Sequence, residues 1–401
     1  MNTLITFLGR VPKGENGYRT TSYDFGDGSQ YDPTAFFGWT LLERDRPDRL
    51  VVLGTAGSMW DHLFESDFDF GAEAEEERLA LTEGVEKQTV TADLLDSLAP
   101  MLGRRLGIEV RLELIPFCRT ADEQVKLLRV LADHVGNGAE VDLDVTHGYR
   151  HLPMLGLLSA LHLRRVRDAQ IRHIWYGAYD PDTEKAPVHD LNGLLEIADW
   201  LEALAVYDHT GDYGVFGTLL GKEIGGELED AAFLETVNRI GQARSRVRSV
   251  LKKIEGEALP GGPAAALFRP ELERRLAWAE VEHFYARQRQ LCLEYLDRGR
   301  YQKAVLVGWE AFTTRLLQEH GGLNPLNHDH RKQVCEKFEE RERNMKPRST
   351  KWLHYDNLRR LRNAIAHGSE PKGDEVQSAL SGAQAMRSFL HPLLEHLLPE
   401  P

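Results

Sequence analysis

Long apolar runs are missing from this 401-residue chain. The longest, LPMLGLLSALHL from Leu152 to Leu163, falls short of the roughly 20 residues that a bilayer-spanning helix needs, so no membrane association is expected. The opening MNTLITFLGR has neither a basic leader nor an extended apolar core, and it reads as a first β-strand rather than a secretion signal. Cysteine is scarce too. Cys118, Cys292 and Cys335 lie far apart and match no zinc or redox spacing, which excludes a disulfide scaffold and fits a reducing, cytoplasmic setting. A basic charge balance is also absent. Forty-nine Lys and Arg against 63 Asp and Glu give a net charge of −14, which argues against a surface that coats nucleic acid indiscriminately.

The charge is unevenly spread. Between Glu65 and Asp96 eleven acidic residues stand against Arg78 and Lys87 alone. Between Arg341 and His367 eight Lys or Arg stand against Glu342 and Asp356. Either run suits a solvated face, and the basic one also suits a local groove for RNA.

The first half alternates strand and helix signals. Thr3–Gly9, Arg49–Thr55, Ile108–Pro116, Ala139–Thr146 and Ile171–Tyr179 are short β-branched or aromatic runs that end at turn residues. Helical patterns at Phe36–Arg44, Thr91–Arg105, Asp122–His134 and Pro153–Arg165 separate them. This order predicts an α/β, Rossmann-like domain over residues 1–210, a parallel sheet with helices on both faces. Such sheets bind ligands beyond the carboxyl ends of their strands. Three of those ends are well equipped: Gly9-Arg10, GTAGSMW (Gly54–Trp60) and THGYRH (Thr146–His151). Beyond DHTGDYGVFGTLLG (Asp208–Gly221) the patterns are all helical: Leu228–Ile254, Pro270–Leu296, Tyr301–Glu319, His330–Arg343, Tyr355–Ala366 and Glu375–Leu398. We expect a helical connector over 211–300 and an all-α domain over 301–401.

The turn in DLDVTHGYRHLPM (Asp142–Met154) crowds donors between a strand and a helix that starts near Pro153. A helix N-terminus offers free N–H groups and favours anions; Gly148 lets a ligand approach, Thr146 adds a hydroxyl and Arg150 a phosphate-binding fork. Other readings stay open at this point: a metal held by His147 and His151, a catalytic His147, or a plain structural turn. The metal reading lacks a third ligand nearby. Thr55 and Ser58, on a second turn at the same sheet edge, fit the phosphate reading.

In LRRLRNAIAHG, Arg362 and His367 stand five residues apart, with Asn363 directly after the arginine. The same spacing recurs at Arg129–His134 and Arg315–His320, so spacing alone decides nothing. Five residues turn a helix by roughly 500°, leaving the two side chains about 140° apart. An arginine that stabilises a phosphorane and a histidine that moves protons suit RNA cleavage; a helix end interacting with its own carbonyls is the alternative.

Taken together, these motifs resemble a known family. DVTHG (Asp144–Gly148) matches the Asp-x-Thr-His-Gly signature of the CRISPR-associated CARF–HEPN ribonucleases of type III systems. FLG (Phe7–Gly9), YRTTSYDF (Tyr18–Phe25) and VVLGTAGSMWD (Val51–Asp61) resemble that family's opening pattern. RNAIAH resembles the Arg-polar-x-x-x-His motif of HEPN nucleases, and LVGWEAFTTRLL (Leu306–Leu317) a preceding HEPN helix. The resemblance implies a CARF domain over 1–210 that binds a cyclic oligoadenylate, cyclic tetra-adenylate being the expected ring, through Gly9, Arg10, Thr55, Ser58, Thr146, His147, Gly148 and Arg150. It implies a HEPN domain over 301–401 that cleaves single-stranded RNA without a metal or other cofactor, using Arg362, Asn363 and His367. It also implies a homodimer, with higher assembly open, in which the partner completes the site and removes the 140° difficulty. Two rivals remain: a non-enzymatic ligand sensor, and a nuclease that degrades the ring itself.

Overall fold

The computed structural model describes residues 1–14, 17–65, 68–148, 151–256, 261–321 and 323–400. They form two compact units, Met1–Glu196 and Ile197–Pro401.

The first unit is organised by strands β1 (Asn2–Leu8), β2 (Lys13–Gly14), β3 (Gly17–Tyr18), β4 (Ser22–Asp24), β5 (Arg49–Gly54), β6 (Glu109–Leu114), β7 (Glu140–Asp144), β8 (Gln170–Gly177) and β9 (Lys185–Asp190). Strands β2 and β3 pair by themselves; the others form one sheet in the order β4-β9-β8-β7-β1-β5-β6. Alternation along the central strands explains why both faces are covered. Leu4, Leu8, Leu50 and Val52 enter one buried cluster. Ile5, Phe7, Val51 and Leu53 enter another, on the opposite face. Helices α1 (Phe37–Asp45), α2 (His62–Glu65), α3 (Glu75–Lys87) and α4 (Ala92–Leu106) accompany the first face, and α5 (Ala121–Asp133) and α6 (Leu152–Val166) the second. Thr91 caps α4 through Leu94 N–H and Thr120 caps α5 through Glu123 N–H.

Two features depart from the sequence reading. The sheet is not wholly parallel, because β9 runs antiparallel to β8, pairing Asp190 with Trp175. A short connection suffices for an antiparallel partner, whereas a parallel one needs a crossover. The acidic run also hides a helix. In α3, Leu81 and Val85 lie one turn apart and are buried, while Glu75, Glu76 and Glu77 sit in the first turn, where the helix dipole favours negative charge.

The second unit begins inside α7 (Gly193–Thr210), upstream of the boundary expected at residue 210. Trp200 and Tyr207 enter the helical core, which is why this helix falls with the helical half. The glycine-rich stretch is a 3-10 turn, Tyr213–Leu219, anchored by buried Tyr213 and Phe216 rather than a free linker. Helices α8 (Gly221–Thr236), α9 (Ile240–Ile254), α10 (Gly262–Leu276), α11 (Phe284–Asp297), α12 (Tyr301–His320), α13 (His328–Arg343), α14 (Thr350–His367), α15 (Asp374–Ala379) and α16 (Ala383–Leu397) follow. Leu228, Val247 and Leu272 share one buried cluster with Phe312, Leu358 and Leu390, so residues 211–300 do not form a separate compact unit. No helix among the described residues is long and apolar enough to cross a membrane.

Candidate functional site

Strand order places the switch point of the first unit between β1 and β7. The chain moves outward from β1 through β5 to β6, then returns to the other side of β1. At that point the two strand ends nearly touch. A Cβ added to Gly9 would lie 2.6 Å from the Gly148 nitrogen, so no other residue fits without moving one strand. Gly148 itself sits at φ +106, a conformation that L side chains rarely adopt.

A cleft of about 190 Å³ opens there, lined by Leu8, Gly9, Arg10, Thr55, Gly57, Ser58, Gln88, Ile115, Phe117, Gly148 and Leu152. Five of the predicted binding residues therefore converge: Gly9, Arg10, Thr55, Ser58 and Gly148. Arg10 is exposed and has no ion-pair partner among the described residues. Ser58 Oγ accepts the Thr55 N–H at 2.9 Å, and the indole N–H of buried Trp60 donates to the Thr55 carbonyl at 2.8 Å. These bonds fix the turn after β5. The Met59 N–H donates to the Gly9 carbonyl at 2.9 Å and ties that turn to the end of β1.

Thr146 and His147 do not line the cleft. The buried Asp144 carboxyl accepts the Thr146 N–H at 2.8 Å and pairs with the Thr6 hydroxyl at 2.6 Å. Burial pushes this carboxyl up to about 6, and the bonds from Thr146 and Thr6 act the other way. Thr146 Oγ1 accepts the Gly177 N–H at 2.8 Å, joining β7 to β8. His147 turns toward α1, where its Nε2 accepts the Phe37 N–H at 3.2 Å and lies 3.3 Å from the Tyr23 hydroxyl. An Nε2 that accepts from an amide is unprotonated, so the ring carries its hydrogen on Nδ1. Burial, with His62 nearby, brings this histidine down to about 4. His151 Nε2 meets the Phe117 carbonyl at 3.0 Å instead, so the two histidines of the motif serve different partners. Arg150 lies outside the described residues.

Gln88 and Phe117 were not foreseen as cleft residues. Gln88 ends α3 in the left-handed region, and a helix hidden in an acidic run gives no sign of it. Phe117 follows the end of β6, and the strand-end position that it shares with Gly9, Thr55 and Thr146 is a signal that could have found it.

The other predicted constellation lies on α14. Ser349 caps the helix by accepting the Trp352 N–H, and Gly368 ends it at φ 60. Trp352, Tyr355, Leu358 and Leu361 form its buried stripe. Nε and Nη2 of Arg362 donate to Asn363 Oδ1 at 3.2 and 2.8 Å. The guanidinium also lies 4.6 Å from the centre of the Trp309 ring on α12. His367 is exposed in the last turn, and no hydrogen bond joins it to Arg362 among the described residues. Arg362 and Asn363 are thus held together, and His367 stands apart from them.

Residues 3–181 match the family model described as CRISPR system endoribonuclease Csx1, CARF domain. The chain is 24% identical over 382 residues to the CRISPR-associated protein MJ1674 of Methanocaldococcus jannaschii. That alignment covers 89% of this chain and 60% of the relative, so the chain spans about 60% of that protein's length. Among solved structures, Enterococcus italicus Csm6 bound to cyclic hexa-2′-fluoro-hexa-dAMP aligns at a TM-score of 0.38 and 12% identity, covering 100% of this chain and 95% of that one. The switch-point cleft lies within residues 3–181, the segment that is similar to the CARF domain of the Csx1 family.

Proposed function

We propose that this chain is a metal-independent endoribonuclease that cuts single-stranded RNA when a cyclic oligoadenylate, with cyclic tetra-adenylate as the expected ring, occupies the cleft at the carboxyl ends of β1, β5 and β7. The observation that carries the reading is the convergence of Gly9, Arg10, Thr55, Ser58 and Gly148 on one cleft inside the matched CARF segment. Close-approach glycines, hydroxyl-bearing turns and an arginine with no ion-pair partner among the described residues suit a phosphodiester ring. Thr146 and His147 act behind the cleft by fixing the turn that carries Gly148, and Arg150 completes the binding set.

The cleft's size supports a homodimer. At about 190 Å³ it is smaller than the roughly 300–1,000 Å³ typical of small-molecule sites. A cyclic oligonucleotide is larger still, so two clefts facing each other across a two-fold axis match the ring's own symmetry. Helix α6 offers a pairing face, with Met154 and Leu158 exposed one turn apart.

Cleavage follows from the substrate's own chemistry. The RNA 2′-hydroxyl attacks the adjacent phosphorus and loses its proton as the bond to the 5′-oxygen breaks. The products are a 2′,3′-cyclic phosphate and a 5′-hydroxyl. His367 moves the proton and Arg362, aimed by Asn363, neutralises the charge on the pentavalent phosphorus. No hydrogen bond joins Arg362 to His367 among the described residues, and a working site that takes residues from two chains suits that arrangement. The ring activates by binding the active arrangement more tightly than the resting one. The test is cleavage of a single-stranded RNA reporter with and without the ring. Activity that needs the ring supports this reading, and ring binding with no cleavage under any ring favours a sensor without enzymatic activity.

A further inference from the structure

A second cleft lies on α14 within one turn of Arg362, and the cleavage chemistry above does not use it. It encloses about 430 Å³ between Arg359, Arg360 and Asn363 on the helix and Ser369, Glu370 and Lys372 on the segment after it. The backbone builds it locally. Gly368, at φ 60, turns the chain back along the helix. Gly373, at φ 113, lets Arg360 pack closely, since a Cβ there would lie 2.9 Å from Arg360 Nη1. That same Nη1 donates to the Lys372 carbonyl at 3.0 Å, which fixes the far wall to the helix.

The charges are arranged unequally. Among the described residues Asp356 alone approaches both guanidiniums, 2.6 Å from Nη2 of Arg359 and 2.6 Å from Nη2 of Arg360. Glu339 approaches only Arg359, at 3.6 Å. Arg360 therefore shares its one carboxylate with a neighbour, and the Lys372 ammonium has no ion-pair partner among the described residues. No aromatic side chain lines the cleft, so nothing there stacks a base. Asn363 connects the cleft to the chemistry: it forms part of the wall and holds the Arg362 guanidinium through Oδ1.

We propose that this cleft binds a backbone phosphate of the RNA strand beside the bond that is cut, with Arg360 and Lys372 as substrate-binding residues. The inference rests on the ribonuclease reading above and deepens it. Guanidinium forks and an ammonium recognise phosphate without reading bases, so the contact strengthens binding equally for all RNA sequences. Glu370 opposes the phosphate and limits the affinity.

The test uses the full chain, cyclic tetra-adenylate at saturation, a cleavable single-stranded RNA, and a 2′-O-methyl RNA whose binding is read by fluorescence anisotropy. Lys372→Ala is expected to raise KM and the anisotropy Kd about tenfold while kcat holds. Its plot of log affinity against log salt should flatten by about 0.7, the share of one phosphate on a single strand. Glu370→Gln should shift KM and Kd the opposite way, which damage to the fold would not do. An unchanged salt slope in Lys372→Ala, or no tightening in Glu370→Gln, overturns the phosphate site. Failure of the wild type to cut RNA with any ring overturns the ribonuclease reading instead, and the anisotropy measurement still decides the cleft.

Discussion

Nε2 of His147 lies 3.2 Å from the backbone nitrogen of Phe37, so the histidine of the Asp-x-Thr-His-Gly motif ties the end of β7 to the start of α1. Removing it leaves a buried N–H without its acceptor. His147→Ala is therefore expected to lose about 1–3 kcal/mol in chemical denaturation at pH 7. The sign of the pH effect follows from the lowered value of about 4. This contribution is complete above the ordinary histidine range near 6.5 and is lost as pH falls toward 4. The gap between wild type and variant should close over that interval; a constant gap contradicts the assignment.

Asp144 predicts the opposite slope. Its carboxyl is raised to about 6 by burial, so its contribution is complete below the ordinary value near 3.8 and is lost as pH rises through 6. Asn can still accept the Thr146 N–H and donate to the Thr6 hydroxyl without ionising. Asp144→Asn should thus be at least as stable as wild type at pH 8, with the difference vanishing near pH 4. Equal pH profiles for the two proteins contradict a buried, ionising Asp144.

The switch-point cleft predicts two binding losses of different kinds. Arg10→Ala removes a charge-assisted contact and should weaken cyclic tetra-adenylate binding roughly 10- to 100-fold, read by calorimetry, with the fold intact. Gly9→Ala places a methyl 2.6 Å from the Gly148 nitrogen and should lower both ring affinity and melting temperature. Arg150→Ala is expected to behave like Arg10→Ala. Unchanged affinity in Arg10→Ala and Gly9→Ala together moves the ring elsewhere.

On α14, Asn363 restrains Arg362 through two hydrogen bonds. Asn363→Ala frees the guanidinium, and kcat for RNA should fall about tenfold with ring affinity unchanged. Stopped-flow cleavage at saturating ring reads this directly; wild-type kcat contradicts a positioning role.

Much of this organisation is legible in the residues, and the misses have physical causes. Apolar alternation in Thr3–Gly9 and Arg49–Thr55 marks strands whose faces both need cover, and the glycine and hydroxyl residues after them do line the cleft. His147 shows what residue identity leaves out: the motif specifies a donor-rich turn, but the Asp144–Thr146 bond and the φ of Gly148 decide which way the ring faces. The apolar period runs from Leu228 to Ile254 without interruption, yet Asn238 at φ 61 separates α8 from α9. The boundary near residue 196 is equally quiet in sequence, because α7 continues through it as one helix.

The central claim, that a ring bound in the first unit switches on cleavage at His367, is tested most directly with a fluorescent single-stranded RNA reporter. Wild type and His367→Ala are each incubated with cyclic tri-, tetra- or hexa-adenylate, or with no ring. The account predicts that wild type cuts only when a ring is present, most strongly with cyclic tetra-adenylate, and that His367→Ala binds the same ring but cuts nothing. Cleavage by His367→Ala at the wild-type rate, or by wild type equally with and without a ring, would contradict it.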